Sequence, residues 1–122
     1  MPETERRAAF ETPPRLASGL WIHACIRRCT LDNLPATVVR KGDPDSGAIM
    51  IKVFRDRMAC MVLSQTRTPE GDPAWIRSTG DGPVTEPEAD AYIDRQISYD
   101  RDIWVLEIEC SFARLPLDEP VI

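Results

Sequence analysis

Apolar residues recur at helical spacing in an early stretch of the chain. The positions that share one face of this stretch are Ile22, Cys25, Ile26 and Cys29. A repeat of three and four residues is typical of an amphipathic helix. Ser18 is a residue type that caps helix starts, and Pro35 disfavours helical backbone at the residue before it. The pattern therefore predicts a first helix over Ser18–Leu31.

A second helix is predicted mainly from its N-terminal residues. Thr85 is followed three residues later by Glu88, which is the spacing of a capping box. Acidic residues in the first turns suit the positive end of the helix dipole. The predicted helix spans Glu86–Ser98, and its apolar stripe includes Ala89 and Ile93.

Alternating apolar and polar residues, with many β-branched side chains, predict five strands. They are Ala36–Arg40, Ala48–Arg55, Ala59–Thr66, Ala74–Arg77 and Ile103–Cys110. We expect the short fourth strand to be an edge strand. The last strand opens with IWVL, which is apolar on both faces, so we expect it to be central in the sheet. Farther along it, Glu107 and Glu109 point to one face.

The order of these elements predicts one α+β domain, in which two helices pack on a mainly antiparallel sheet of four or five strands. Short connections favour a meander, in which consecutive strands pair with each other. Residues 1–15 are polar and contain prolines, so we expect a flexible N-terminal arm. Residues 16–113 are predicted to form the domain, and residues 114–122 an irregular C-terminal tail.

Length and composition narrow the class of protein. The chain has 122 residues and a formal net charge of −5. No apolar stretch approaches the roughly 20 residues that a membrane-spanning helix needs, and the N-terminus lacks the apolar core of a signal peptide. We therefore expect a cytoplasmic protein, away from membranes, whose cysteines stay reduced.

The charge is unevenly distributed, which favours a protein contact surface. Residues 27–57 include seven basic and four acidic residues, whereas residues 58–122 include five basic and thirteen acidic ones. Such a surface suits a partner protein or a second copy of the chain, while the negative net charge disfavours nucleic acid. We expect Trp75 to be exposed beside Arg77 and to add a binding hot spot. The other predicted contact residues, on the side opposed to the acidic second helix, are Arg27, Arg28, Arg40, Lys41 and Lys52.

The stretch RKGDPDSGAIMIKVF, residues 40–54, raises the question of a metal or phosphate site. A calcium loop needs oxygen ligands over a longer segment, and a phosphate loop opens a helix, whereas a strand follows here. We therefore interpret the stretch as a hairpin connection. Gly42 and Gly47 would supply unusual φ angles, and the Asp and Ser side chains would bond to the backbone.

A nuclease-like arrangement is the alternative for this stretch. The order of elements resembles that of restriction-endonuclease-like nucleases, and Asp43, Asp45 and Lys52 would then form the site. However, Met50 stands where such a site needs a second metal-binding acid, two residues before the lysine. We therefore predict no metal at this position.

The cysteines present a similar choice between packing and metal binding. Cys25, Cys29, Cys60 and Cys110 would form a zinc site only if the fold brought all four together. They lie within apolar stretches, where cysteine packs as a small apolar residue. We predict that they belong to the core, and that the protein holds no metal or other cofactor.

Three segments carry a resemblance to a known family. Together, ASGLWIHACIRRC, LPATVVRKGDPDSGAIMIKV and TGDGPVTEPEADAYIDRQISYDRDIWVLEIE resemble short alphaproteobacterial proteins that form a domain of unknown function. The resemblance extends from about residue 16 to residue 109. It implies a bacterial cytosolic protein with a compact α+β fold, and it implies no activity, cofactor or site residue.

The absence of a convincing catalytic motif favours a small binding or adaptor module without catalytic activity. Its partner would be an unidentified protein or a second copy of the chain. Two alternatives stay open. One is a degenerate restriction-endonuclease-like, metal-dependent hydrolase, and the other is a nucleic-acid-binding domain without catalysis.

Overall fold

The computed structural model describes residues 17–122, so the predicted N-terminal arm lies outside the described residues. Two helices and five strands follow one another in the order α-β-β-β-β-α-β. The elements are α1 (Ser18–Leu31), β1 (Ala36–Arg40), β2 (Ile49–Asp56), β3 (Ala59–Arg67), β4 (Pro73–Arg77), α2 (Glu86–Tyr99) and β5 (Trp104–Glu109). The predicted α+β fold is confirmed, and the element bounds agree with the predicted ones to within a residue or so.

The five strands form one mixed sheet in the spatial order β1-β5-β2-β3-β4. Strands β2, β3 and β4 form an antiparallel meander, as predicted. Strand β5 is antiparallel to β1 and parallel to β2, and it lies between them. The central position predicted for β5 from its apolar opening is confirmed, since Trp104, Val105 and Leu106 are all buried.

The prediction that β1 and β2 form a hairpin is wrong, because β5 separates them. The connection between β1 and β2 reverses the chain, but it does so across the beginning of β5. The backbone N–H of Asp43 donates to the carbonyl oxygen of Asp102 at 3.0 Å, and the N–H of Trp104 donates to Ala48 at 2.8 Å. The indole Nε1 of Trp104 also donates to the carbonyl of Asp43 at 2.7 Å. We call residues 41–48 the β1–β2 loop.

Two glycines allow the β1–β2 loop to approach β5 closely. A Cβ atom at Gly42 or at Gly47 would overlap the carbonyl oxygen of Asp102. The positive φ angles expected for these glycines are absent, since the described glycines with positive φ are Gly71 and Gly80. Glycine is therefore needed at positions 42 and 47 because there is no room for a side chain, and not because the backbone adopts an unusual angle.

The helices cover opposite faces of the sheet, and each face carries its own apolar cluster. Helix α1 packs Ile22, Cys25 and Cys29 onto side chains of β2, β3 and β5 that include Ile51 and Leu106. Helix α2 packs on the other face. The residues of that second cluster are Ala89, Ile93, Met50, Cys60, Val62, Ile103 and Val105. Burial of both faces explains why β2 and β5 are nearly continuous apolar segments.

The helix ends follow from local chemistry. Asn33 has a φ of +59°, and the N–H of Leu34 donates to the carbonyl of Cys29 at 2.8 Å. This is a Schellman motif with asparagine in the left-handed position. The motif ends α1, and Pro35 is not what terminates it. The predicted capping box of α2 between Thr85 and Glu88 is present. Ser18 does not cap α1; its hydroxyl donates to the carbonyl of Gly47 in the β1–β2 loop.

The C-terminal residues follow the outer edge of β4. The N–H of Trp75 donates to the carbonyl of Pro120 at 2.8 Å, and the N–H of Ile122 donates to Trp75 at 2.8 Å. Leu115, Leu117 and Val121 pack against the α1-side cluster. The tail thus covers one edge of the sheet.

We expect Gly47→Ala to lower the free energy of unfolding by about 1–3 kcal/mol, because the added methyl group forces the β1–β2 loop away from β5. Urea denaturation at neutral pH measures the effect. Gly82→Ala is the matched control, since a Cβ there meets no atom within 4 Å. We expect the control to change stability by less than about 0.5 kcal/mol. Equal midpoints for the two variants would show that the loop does not need the close approach.

Candidate functional site

A buried lysine holds α2 on the sheet. The ammonium of Lys52, on β2, contacts the carboxylates of Glu86 at 2.8 Å, Asp90 at 2.7 Å and Glu107 at 3.2 Å. Glu86 and Asp90 lie on α2, and Glu107 stands beside Lys52 in the parallel pairing of β2 with β5. Lys52 is only 5% exposed. We call these four residues the Lys52 cluster.

The Lys52 cluster is an ion-pair network that links a helix and two strands. Burial by itself lowers the pKa of the Lys52 ammonium, but its hydrogen bonds to Asp90, Glu86 and Glu107 outweigh burial and raise that pKa. The lysine is therefore held protonated, so it cannot accept a proton near neutral pH. An ammonium that three carboxylates surround is a structural tie and not a catalytic base.

The structure does not assemble the predicted basic contact surface as one patch. Lys52 was expected to lie opposite the acidic helix, and this is wrong because it pairs with that helix. Arg40 is half-buried and donates to the carbonyl of Arg101 at 2.7 Å. Its Nε atom is buried and has no partner among the described residues. Arg27 and Lys41 are exposed.

Arg28 is exposed, but it is held by the C-terminal tail. Its guanidinium forms an ion pair with Asp118. The hydrogen bond to Asp118 raises the pKa of Arg28. The pair joins α1 to the tail on the α1 side of the sheet, far from the Lys52 cluster on the α2 side. Whether any of the predicted basic residues binds a partner stays a prediction.

The nuclease-like alternative is not assembled in the structure. The carboxylate of Asp43 accepts hydrogen bonds from the backbone N–H of Ser46 at 2.8 Å and of Asp45 at 3.2 Å. The N–H of Ser46 is the main reason that the pKa of Asp43 is lowered. Asp43 thus bonds to its own loop, as predicted. Lys52 lies on the opposite face of the sheet with three other carboxylates, so the three residues do not share a site.

The sheet also separates the cysteines. Cys25 and Cys29 lie in the α1-side cluster with Cys110 packed against it, whereas Cys60 lies in the α2-side cluster. Burial raises the pKa of Cys25 to about 12 and that of Cys110 to about 11. These thiols are therefore packed apolar groups, as predicted, and poor nucleophiles. Across residues 17–122, no three His, Cys, Asp or Glu side chains are grouped so as to hold a metal ion.

No described helix combines the length and the apolar character that crossing a membrane requires.

A cleft of about 560 Å³ opens between the N-terminus of α1, the β1–β2 loop and the β3–β4 hairpin. This volume is in the range of sites that bind small ligands. The buried residues of its lining are mostly apolar, and the exposed ones are mostly polar. The lining residues are Ser18, Trp21, Asp45, Ser46, Ile49, Gln65, Thr66, Arg67, Pro73, Ala74, Trp75 and Glu119. We call it the Trp21 cleft.

Two tryptophans form one wall of the Trp21 cleft. The rings of Trp21 and Trp75 lie 5.5 Å apart at 50°, a tilted geometry that favours aromatic contact. Trp75 was expected to be exposed beside Arg77, and this is wrong because Trp75 is 2% exposed. The C-terminal tail covers it, and its Nε1 donates to the carboxylate of Glu119 at 3.0 Å. Arg77 itself is exposed.

Hydrogen bonds fix the walls of the Trp21 cleft. Gln65 accepts from the backbone N–H of Ile49 at 2.8 Å, where β2 begins. The first N–H groups of α1, at Ser18 and Gly19, donate to the carbonyl oxygens of Asp45 and Pro44. These bonds occupy donors that would otherwise attract an anion to the helix N-terminus. The cleft is therefore held open by the backbone around it.

Sequence reasoning missed most of this cleft. The patterns along the chain give no site role to Trp21, Gln65 or Glu119. Their meeting depends on the C-terminal tail returning to β4, for which the sequence holds no local signal. The available signal was the apolar character of the tail. Leu117 and Val121 indicate that the tail packs against the rest of the domain.

Comparison with known proteins identifies relatives of unknown function. A family model described as "Protein of unknown function (DUF1491)" matches residues 16–118. The resemblance inferred from the three segments is thereby confirmed. No curated protein matches the chain.

Solved structures show the same fold. A crystal structure of a DUF1491 family protein from Caulobacter crescentus is 38% identical, covers 88% of this chain and 100% of its own, and has a TM-score of 0.78. An NMR structure of a DUF1491 family protein from the same organism is 37% identical, with a TM-score of 0.74 and coverage of 88% and 96%. A protein from A. tumefaciens is 24% identical over 80% of this chain and 88% of its own, with a TM-score of 0.68, and shows the fold alone.

We expect Lys52→Met to lower the free energy of unfolding by about 1–3 kcal/mol at pH 7, because three carboxylates lose their shared cation while staying partly hydrated. Lys41→Met is the matched control, since Lys41 is the other lysine of the chain and is exposed. The control should change stability by less than about 0.5 kcal/mol.

The same variants make a pH test. A lysine with a raised pKa stabilises the fold fully below its ordinary pKa of about 10.4, and this stability is lost as the pH rises through the higher folded value. The difference between wild type and Lys52→Met should therefore be largest near neutral pH and narrow at strongly alkaline pH, where Lys52 loses its proton. A difference that is constant from acid to strongly alkaline pH would contradict the ion-pair role.

Proposed function

Because this chain belongs to the DUF1491 family, a family of unknown function, we propose its role from its own structure: a non-catalytic binding module whose ligand occupies the Trp21 cleft. The observation that carries this proposal is the cleft itself. It is about 560 Å³ in volume, and its buried lining residues are mostly apolar while its exposed ones are mostly polar. Sites that bind small molecules or single side chains share these features.

The chemistry of the lining supports binding without catalysis. Among the described residues, the lining contains no histidine, lysine or cysteine, so its serine and threonine hydroxyls have no imidazole or amine beside them that could activate them as nucleophiles. The Lys52 cluster lies on the opposite face of the sheet from the cleft. Its lysine already contacts three carboxylates.

The rigidity of the cleft supports the same role. Its walls are tied together by Ser18 to Gly47, Gln65 to Ile49 and Trp75 to Glu119. A site whose walls are already hydrogen-bonded loses little conformational entropy when a ligand enters. The module therefore needs no large rearrangement to bind.

A fragment screen by NMR tests the proposal on the full chain. We expect fragments that bind to shift the indole resonances of Trp21 and Trp75 and the amide resonances of Gln65 and Asp45. In Pro73→Trp, a bulky ring at the exposed edge of the cleft should weaken these fragments at least about fivefold by occupying the space they need.

Pro83→Trp is the control, because Pro83 is also exposed but lies in the loop before α2. Its fragment affinities should equal those of the wild type. Binding that Pro73→Trp leaves unchanged, or fragments that shift only resonances outside the cleft, would refute the assignment of the site.

A further inference from the structure

Building on the proposed binding role of the Trp21 cleft, we propose that its occupant is an arginine side chain presented by a partner polypeptide. Three features of the lining support this assignment: two carboxylates, an aromatic wall, and basic or N–H donors that already have hydrogen-bond partners within the chain.

Two carboxylates face the cleft from separate segments. Asp45 lies in the β1–β2 loop and Glu119 in the C-terminal tail. Within residues 17–122, neither forms an ion pair. Glu119 accepts the indole N–H of Trp75 on one oxygen at 3.0 Å, which holds the carboxylate in place. Its other oxygen has no hydrogen-bond partner within that range, so it is available to a donor from a ligand.

The aromatic wall suits a planar cation. Trp21 is half-buried and leans on the buried ring of Trp75. An indole face attracts a cation through its quadrupole, and guanidinium also stacks on it as a flat group. Arginine carries several N–H donors in one plane, so it can stack on a ring while it donates to a carboxylate. A lysine ammonium matches this arrangement less well.

The opposite charge preference is disfavoured by the backbone. Ser18 and Gly19 donate their N–H groups to the carbonyls of Asp45 and Pro44, so two of the donors at the positive end of α1 are already bonded. Arg67 is the basic residue of the described lining, and it donates to the carbonyl of Gly71 in the β3–β4 turn. The lining therefore has two acidic groups against one basic group, which is engaged elsewhere.

The test is an NMR titration of the full chain with N-acetyl-arginine methylamide. The matched probe is N-acetyl-citrulline methylamide, which has nearly the same shape without the charge. We expect the arginine probe to shift the Trp21 indole and the amides of Asp45 and Gln65. The citrulline probe should bind at least about tenfold more weakly, because it lacks charge-assisted hydrogen bonds and the cation–π contact.

Variants assign the charge preference to the carboxylates. Asp45→Asn and Glu119→Gln should each weaken the arginine probe about fivefold, since each removes one charged acceptor. Asp94→Asn is the control, because Asp94 is exposed on α2 at the other face, and it should leave the affinity unchanged. Asp45 is also exposed, so its substitution tests binding without threatening the fold.

Two further titrations examine the source of the arginine. Agmatine is a free small cation with the same guanidinium. If it binds tenfold more tightly than the blocked arginine, the occupant is a free metabolite and the polypeptide assignment is overturned.

Residues 1–16 contain Arg6, Arg7 and Arg15, so the variant with all three changed to glutamine is also titrated. A fivefold gain in affinity for the probe would identify the chain's own leading segment as the occupant and would overturn the partner assignment.

The results separate this inference from the proposed function. If citrulline and arginine probes bind the cleft equally, or if only neutral fragments bind there, the cleft is a binding site but the arginine assignment is wrong. If neither probe nor any fragment shifts cleft resonances, both proposals are wrong. Arginine selectivity that disappears in Asp45→Asn and Glu119→Gln supports both.

Discussion

The structure depends on the insertion of the last strand between the first two. Strand β5 lies between β1 and β2, and the β1–β2 loop crosses its beginning with Gly42 and Gly47 against the carbonyl of Asp102. Most other features follow from this one contact. The loop positions Asp45 and Ser46 at the Trp21 cleft, and its carbonyl oxygens satisfy the N-terminus of α1. On the other face, β5 brings Glu107 beside Lys52.

The two faces of the sheet have different tasks because of this arrangement. On the α2 face, a lysine between three carboxylates joins the helix to the two central strands. Desolvation offsets much of the attraction in such a network, so the loss of one partner costs more than the intact network contributes. On the α1 face, the helix packs through apolar side chains, is tied to the C-terminal tail by Arg28 and Asp118, and leaves room at its N-terminus for a cleft. The Lys52 cluster is thus kept away from the proposed binding site.

Local features of the fold were predictable from the sequence, and long-range ones were not. The bounds of α1, the capping box of α2 and the central character of β5 follow from spacing, capping and apolar runs that act within a few residues. The pairing of β5 with β1 joins residues about seventy positions apart, and no local pattern encodes it. The burial of Trp75 escaped prediction for the same reason, because the residues that cover it are the last of the chain. Lys52 was misassigned because a lysine in a strand is expected to be exposed. Its burial depends on carboxylates that other segments of the chain supply.

The C-terminal cover on β4 has a consequence for self-association. Sheets polymerise edge to edge without limit only when both outer strands are unpaired. Each added molecule must then present another unpaired strand to the next one. Here residues 120–122 bond to one outer strand through Trp75, while β1 remains at the other side of the sheet. Within residues 17–122, no strand pairs with the outer side of β1. If two molecules docked edge to edge through β1, that edge would be used in both, and growth through sheet edges would stop at a pair.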